Sequence, residues 1–230
     1  MLVSFLLFHF SLVSAQDEPP DLRIRERLQV ICHMLEQGRP NASQWWTGWL
    51  IGYSAATIGQ GAVALASKDQ ATRQDMALGA ATTCLGAIGQ IIAPMVPAYA
   101  PGRLAGMPET TLEQRLSKLS EAEKLLHASA LREKAGRSWK THAIAGIVDL
   151  GSGLVVWLGF KRSIWEGVAN FALNTAIAEA QIWTQPTRAM DDYNDYVNRY
   201  LSIGRSGYSN SKIHLTVHAV PGGCGLSILF

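Results

Sequence analysis

His142, Asp149, Asn170, Asn174 and Glu179 lie in two largely apolar stretches, 142–160 and 164–183, where a polar side chain needs a reason to be. Trp139, His142, Gly146, Asp149 and Gly153 fall on one stripe of a helix, and Gly167, Asn170 and Asn174 share a face of the next. Asp149 stands 13 residues before Arg162 and Asn174 stands 12 after it. On two antiparallel helices rising 1.5 Å per residue, both would lie about 18 Å from the turn, close enough for a carboxylate–amide hydrogen bond. Glu179 falls within one turn of His142 in depth and would orient its imidazole. An unpaired carboxylate in hydrocarbon costs several kcal/mol, so Asp149 must pair, face water or carry a proton. Two chemistries fit the group. One is a proton or cation path through Asp149 with His142 and Glu179 at its mouth; the other is polar glue between two helices. Arg162 and Glu166, one turn apart, read as a local ion pair.

Elsewhere the chemistry thins out. His214 and His218 share a strand face but would stand roughly 13 Å apart, too far to chelate one ion. Asp191, Asp192 and Asp195 lack the glycine and ligand order of a calcium loop. There is no Gly-x-Gly-x-x-Gly turn after a strand, no phosphate-binding Lys-Ser/Thr loop and no His-Glu-x-x-His. Ser54, Ser152 and Ser163 have no His and acid partners for nucleophilic catalysis. No catalytic, cofactor-binding or metal-ligating residue is assigned, and a non-enzymatic protein is expected. A net charge of +2, with acids and bases interleaved, argues against a nucleic-acid partner. Cys32, Cys84 and Cys224 have no zinc-like spacing. Cys84 reads as a packing residue, while Cys32 and Cys224 either pair in an oxidising compartment or stay free thiols.

The elements that must position the polar group are membrane-like. Charged residues make up 17% of the chain, below the quarter usual for soluble domains, and 45–67 and 76–102 contain none. Residues 1–15 read as a secretory signal ending in Val13-Ser14-Ala15, although they lack an early Lys or Arg. Export would also make Asn41-Ala42-Ser43 a glycosylation acceptor in a host that modifies such sites. Ile24, Leu28, Ile31 and Leu35 form an amphipathic helix expected to end near Gly38 and Pro40. Spans are expected from 45 to 66 and 76 to 93, joined by a polar turn, and again over 142–160 and 164–183 around Lys161-Arg162-Ser163. Between them a surface helix starts at Thr110 or Thr111, with Glu113 as capping partner. Tyr193, Tyr196 and Tyr200 mark a short helix near an interface, and the alternation from Ile213 through Phe230 reads as a β-hairpin about Pro221-Gly222-Gly223.

Trp45, Gly52 and Gly59 repeat in steps of seven, and Trp139, Gly146 and Gly153 do the same 94 positions later. This suggests duplicated units. Gly48, Gly52, Gly59, Gly79, Gly86, Gly146 and Gly153 are assigned to close helix packing, because a glycine lets a second backbone approach. Trp45, Trp46, Trp49, Trp139 and Trp183 are assigned as interface anchors.

The expected fold is therefore an all-α membrane protein of two transmembrane helical hairpins, four spans in total, with amphipathic surface helices and a short C-terminal β-hairpin. Its expected segments are 1–15 signal, 16–44 surface helix, 45–98 first hairpin, 99–138 extracytoplasmic helical region, 139–186 second hairpin and 187–230 surface helix with β-hairpin. The expected function is an assembly or scaffold subunit of a membrane complex, its partners the bilayer and either further copies or other membrane subunits. It needs no cofactor. Both termini would lie on the extracytoplasmic side of a plasma or inner membrane. A small proton or cation channel or transporter using Asp149, and a secreted soluble helical protein, are the alternatives.

Overall fold

The computed structural model describes residues 20–201 and the backbone of two strands, 214–220 and 223–229. The expected signal at 1–15 and the side chains of His214, His218 and Cys224 lie outside the described residues; Cys32 is a free thiol. Seven helices follow one another: α1 (Pro20–Ala66), α2 (Gln70–Ile92), α3 (Val96–Ala105), α4 (Leu112–Gly136), α5 (Trp139–Leu154), α6 (Ile164–Thr184) and α7 (Arg188–Tyr196). α5 and α7 each run on into a π-helical turn, Val155–Gly159 and Val197–Leu201. Strands β1 (His214–Val220) and β2 (Gly223–Leu229) pair antiparallel, Val217 opposite Leu226.

The helices sort into a head and a stem. In the head, the first half of α1 packs with α3, α4 and α7 around Leu28, Ile31, Leu35, Leu104, Leu126 and Tyr196. In the stem, α2 folds back along the second half of α1, and α6 folds back along α5. The stem's apolar side chains point outward: Ile58 is 72% exposed, Leu65 91%, Ile92 77% and Ile147 70%. A water-soluble body would bury such residues against another layer.

The architecture expected from sequence is corrected. Among the described residues two helical runs, not four, are long and apolar enough to cross a bilayer: Gln70–Ala105 and Trp139–Gly159, with mean hydropathies of 1.6 and 1.5. The second half of α1 falls short because threonine, serine, glutamine and tryptophan dilute its apolar residues. α6 falls short through Glu166, Asn170, Asn174, Glu179 and Gln181. Nor does a β-hairpin belong to the architecture: the body is helical, turns apart, from Pro20 to Leu201, and the paired strands add no layer to it.

Two local expectations are also corrected. α1 does not stop at Pro40 but passes through it, spanning 47 residues or about 70 Å. Proline removes one N–H and crowds the carbonyl four residues back, a defect that is tolerable where that part of the helix faces water, as exposed Glu36 and Pro40 do. At the start of α4, Gln114 and not Glu113 closes the capping box: the Gln114 N–H donates to Thr111 Oγ1, and the Thr111 N–H donates to Gln114 Oε1. The apolar stripe of α4 packs inside the head, with Leu119 and Leu126 buried, while Leu112 and Leu116 remain half exposed.

Polar side chains pin the head together. Arg27 on α1 donates from Nε to Tyr196 Oη at 2.9 Å, and both residues bond Glu123 on α4. Burial raises the Tyr196 phenol well above its usual range. Glu133, 1% exposed, reaches from α4 to the start of α7, where the Met190 N–H donates to Oε2 at 3.2 Å. It thus caps a helix whose own N-cap residue, Thr187, makes no side-chain cap. Burial outweighs this bond and the second backbone bond from Ala189, and nearby Asp191 and Asp192 add repulsion, so the carboxyl is pushed up to about 7.

This carboxyl makes the head sensitive to pH. The folded state keeps a proton up to about pH 7, whereas the unfolded state releases it near 4.5, so stability falls as pH rises through that window. Glu133→Gln keeps an acceptor and removes the charge. The variant should match the parent near pH 4.5 and exceed it in thermal unfolding above pH 7, by on the order of 3 kcal/mol. A constant difference between the two across that range would count against the buried-acid assignment.

Candidate functional site

The polar residues picked from sequence converge between α5 and α6, with α1 and α2 facing them. Their positions follow from the tight turn at 160–163. Lys161 takes a left-handed backbone (φ 56°), and Ser163 opens α6 with a capping box closed by Glu166. Gly153 and Gly167 then meet face to face. A Cβ on either would come within 2.7 Å of the other's carbonyl oxygen, so no side chain fits at either position.

Above this contact lies a hydrogen-bonded cluster. Ser152 Oγ donates to Asn170 Oδ1 at 2.7 Å, and Asn174 Nδ2 donates to Ser152 Oγ at 3.1 Å and to Asn170 Oδ1 at 3.2 Å. The expected Asp149–Asn174 bond is not formed, because Ser152 stands where that bond needed the carboxylate. Asp149 is 6% exposed, and its Oδ2 has no hydrogen-bond partner among the described residues. The one hydroxyl set against this carboxyl, that of Thr175, is itself buried and has no other partner among the described residues. Asp149 and Asn174 both line a cavity of about 190 Å³ shared with Tyr53, Thr82, Thr83 and Gln181. Tyr53 closes one side, its hydroxyl donating to Gln181 Oε1 at 2.7 Å.

His142 and Glu179 sit towards the head and touch as their depth implied, with His142 Nδ1 2.8 Å from Glu179 Oε1. Trp183 Nε1 donates to the other carboxylate oxygen at 2.9 Å, fixing the acid between an imidazole and an indole. Trp45 and Trp49 both donate to Thr184 Oγ1, at 3.1 and 3.3 Å, and Trp46 donates to the Gln90 carbonyl at 2.8 Å. Four of the five predicted anchors thus gather where stem meets head, tying α1 to α2 and α6. Trp139 stands at the start of α5, 74% exposed.

At the far end of the stem Arg162 makes the expected ion pair with Glu166, at 3.9 Å, and a closer set of bonds across the stem. Its Nη1 donates to both carboxylate oxygens of Asp75 at 2.8 Å and its Nη2 to the Ala71 carbonyl at 2.7 Å, joining the two turns. Trp165, 76% exposed, and Trp157, 39% exposed, are two further tryptophans towards this end that the sequence reading left out. Their closeness to Lys161-Arg162 was the available signal. Ser152, three residues beyond Asp149 on the same face, was also legible by depth matching. Tyr53 and Gln181 were not, because nothing local says which faces of α1 and α6 meet.

The predicted packing glycines divide into two groups. Gly79 and Gly86 lie against Gln60 and the Tyr53 ring, where a Cβ would approach within 2.8 Å, and Gly153 meets Gly167. Gly48, Gly52, Gly59 and Gly146 have nothing within 4 Å of the Cβ position. Comparison with protein-family models, curated proteins and solved structures returned no match, so the functional reading rests on this geometry.

The division predicts opposite responses to one change. Gly153→Ala should lower the thermal midpoint in detergent by many degrees, because its methyl group meets backbone. Gly146→Ala should be neutral or stabilising by up to about 1 kcal/mol, the helix preference for alanine over glycine. Equal loss in both variants would refute the packing assignment.

Proposed function

We propose that the protein is a non-enzymatic, membrane-associated assembly subunit that joins a partner helix, its own copy or another membrane subunit, along α1. One observation carries this reading. Gly48, Gly52 and Gly59 lie on an exposed face of α1, flanked by Ile51 and Ile58 at 61% and 72% exposure, and no internal helix fills it. A flat glycine face between apolar ridges is what close helix approach in lipid requires, since packing and not water exclusion drives association there. The apolar runs of α2 and α5 support a bilayer setting: only 6% and 22% of their most apolar windows are buried, less than the core helix of a soluble fold would bury. Tryptophans at both ends of the stem support it further. In this reading an export signal at 1–15 places the head and both termini on the extracytoplasmic side, and Lys161 and Arg162 at the far end agree with that orientation.

Gly52→Leu with Gly59→Leu should leave the thermal midpoint of the subunit nearly unchanged, because both positions are on the exposed face and nothing lies within 4 Å of a Cβ at either. The same double variant should convert the assembly on native gels to a smaller species. Unchanged migration, with the same co-purifying subunits, would sink the proposal.

A second reading, a proton or cation path, is favoured by one observation: a buried Asp149 carboxyl with only the Thr175 hydroxyl against it, at the wall of the 190 Å³ cavity. It would require flux into vesicles that Asp149→Asn abolishes. Equal flux from both proteins would leave Asp149 a structural residue.

A further inference from the structure

The pairs α1–α2 and α5–α6 are tied to each other near the two ends of the stem, by Trp45, Trp49 and Tyr53 at one and Arg162–Asp75 at the other. Where the stem meets the head, a second cavity of about 440 Å³ opens between them, beside the tryptophan girdle. Its wall is mixed in a particular way. Ile144, Ala178 and Ile182 give an apolar side, while Arg132 and Gln90 give a polar one.

Arg132 reaches in from α4. Its Nε and Nη2 donate to the Ala93 carbonyl at 3.0 and 2.9 Å, and its Nη1 to Gln185 Oε1 at 3.1 Å. A guanidinium has five N–H donors, so two remain. No carboxylate lies within ion-pair distance of it among the described residues; adjacent Glu133 is turned away to cap α7. Gln90 is 2% exposed, and its Oε1 has no donor. The cavity therefore pairs a guanidinium that has no carboxylate in direct contact, Glu133 acting on it only through space, with an unsatisfied acceptor, at the level where an apolar stem gives way to a polar head. An oxyanion that also offers an O–H would meet both needs, and a charge-assisted bond to arginine is among the stronger ones.

We propose that this cavity holds the headgroup of an anionic phospholipid, its phosphate on Arg132 and a headgroup hydroxyl donating to Gln90, with an acyl chain along Ile144, Ala178 and Ile182. The site rests on the membrane reading of the stem. It also gives that reading a chemical preference, because a choline headgroup carries the same phosphate but no N–H or O–H for Gln90.

The test uses the full chain in neutral detergent, with thermal unfolding as readout. Phosphatidylglycerol should raise the midpoint by several degrees, as a ligand that binds only the folded state must, and phosphatidylcholine should not. Ala178→Leu, which fills the cavity and leaves the Arg132 bonds intact, should abolish the shift, as should Arg132→Gln. An equal shift with phosphatidylcholine, or one that survives both substitutions, overturns the site. A shift produced by glycerol 1-phosphate alone overturns the lipid assignment in favour of soluble phosphate. Alkaline carbonate extraction separates membrane residence of the protein from occupancy of the site. Release into the supernatant without detergent overturns the membrane reading and the site with it, whereas a protein retained in the pellet but indifferent to phosphatidylglycerol overturns the site alone.

Discussion

The structure depends on α1 continuing through Pro40. One helix of 47 residues supplies both the first layer of the head and the first helix of the stem. Had the chain broken at Pro40, the head core around Ile31 and Leu35 and the tryptophan cluster around Trp46 would have no fixed relation. The lost backbone bond costs little because it lies on the wet side of the helix, while the dry side carries Leu35 and Ala42 unbroken into the interior. This rigid strut lets Arg132 on α4 reach the C-terminal carbonyl of α2 at Ala93, joining the two halves by an arginine cap.

Head and stem are stabilised by different means. The head is an ordinary hydrophobic core whose buried side chains leave water on folding, reinforced by the Arg27–Tyr196–Glu123 node and the buried Glu133 cap. The stem keeps its largest apolar side chains outside and places polar ones inside, Ser152, Asn170, Asn174 and Tyr53 among them. That inversion leaves small residues and hydrogen bonds to hold the helices. The Gly153–Gly167 contact is therefore close, and the cavities between the two pairs are lined with polar groups.

Much of the polar chemistry was legible because helix geometry converts sequence distance into depth. Counting outward from the 160–163 turn brought His142 to Glu179 and placed Asp149 level with Asn174. It failed on the bond itself, since depth does not specify azimuth, and Ser152 sits between the asparagines instead. The number of apolar spans was misread for a different reason. Absence of charge is a weaker criterion than mean hydropathy, and the glycine, threonine and glutamine content of α1 satisfies the first but not the second.

By itself the sequence determined helix content, the positions of most turns and the two polar stretches, all of which depend on neighbours a few residues apart. Tertiary structure alone decided which glycines are used internally and which remain open, because a missing Cβ means close packing only when another backbone arrives. It also decided that Arg162, besides its ion pair with the acid one turn along its own chain, bonds more closely to Asp75, 87 residues away. Finally, it decided that Arg132, unremarkable in a polar helix, becomes a cation without a carboxylate partner at the wall of a cavity. Such outcomes depend on how distant faces meet, and no local pattern carries that information.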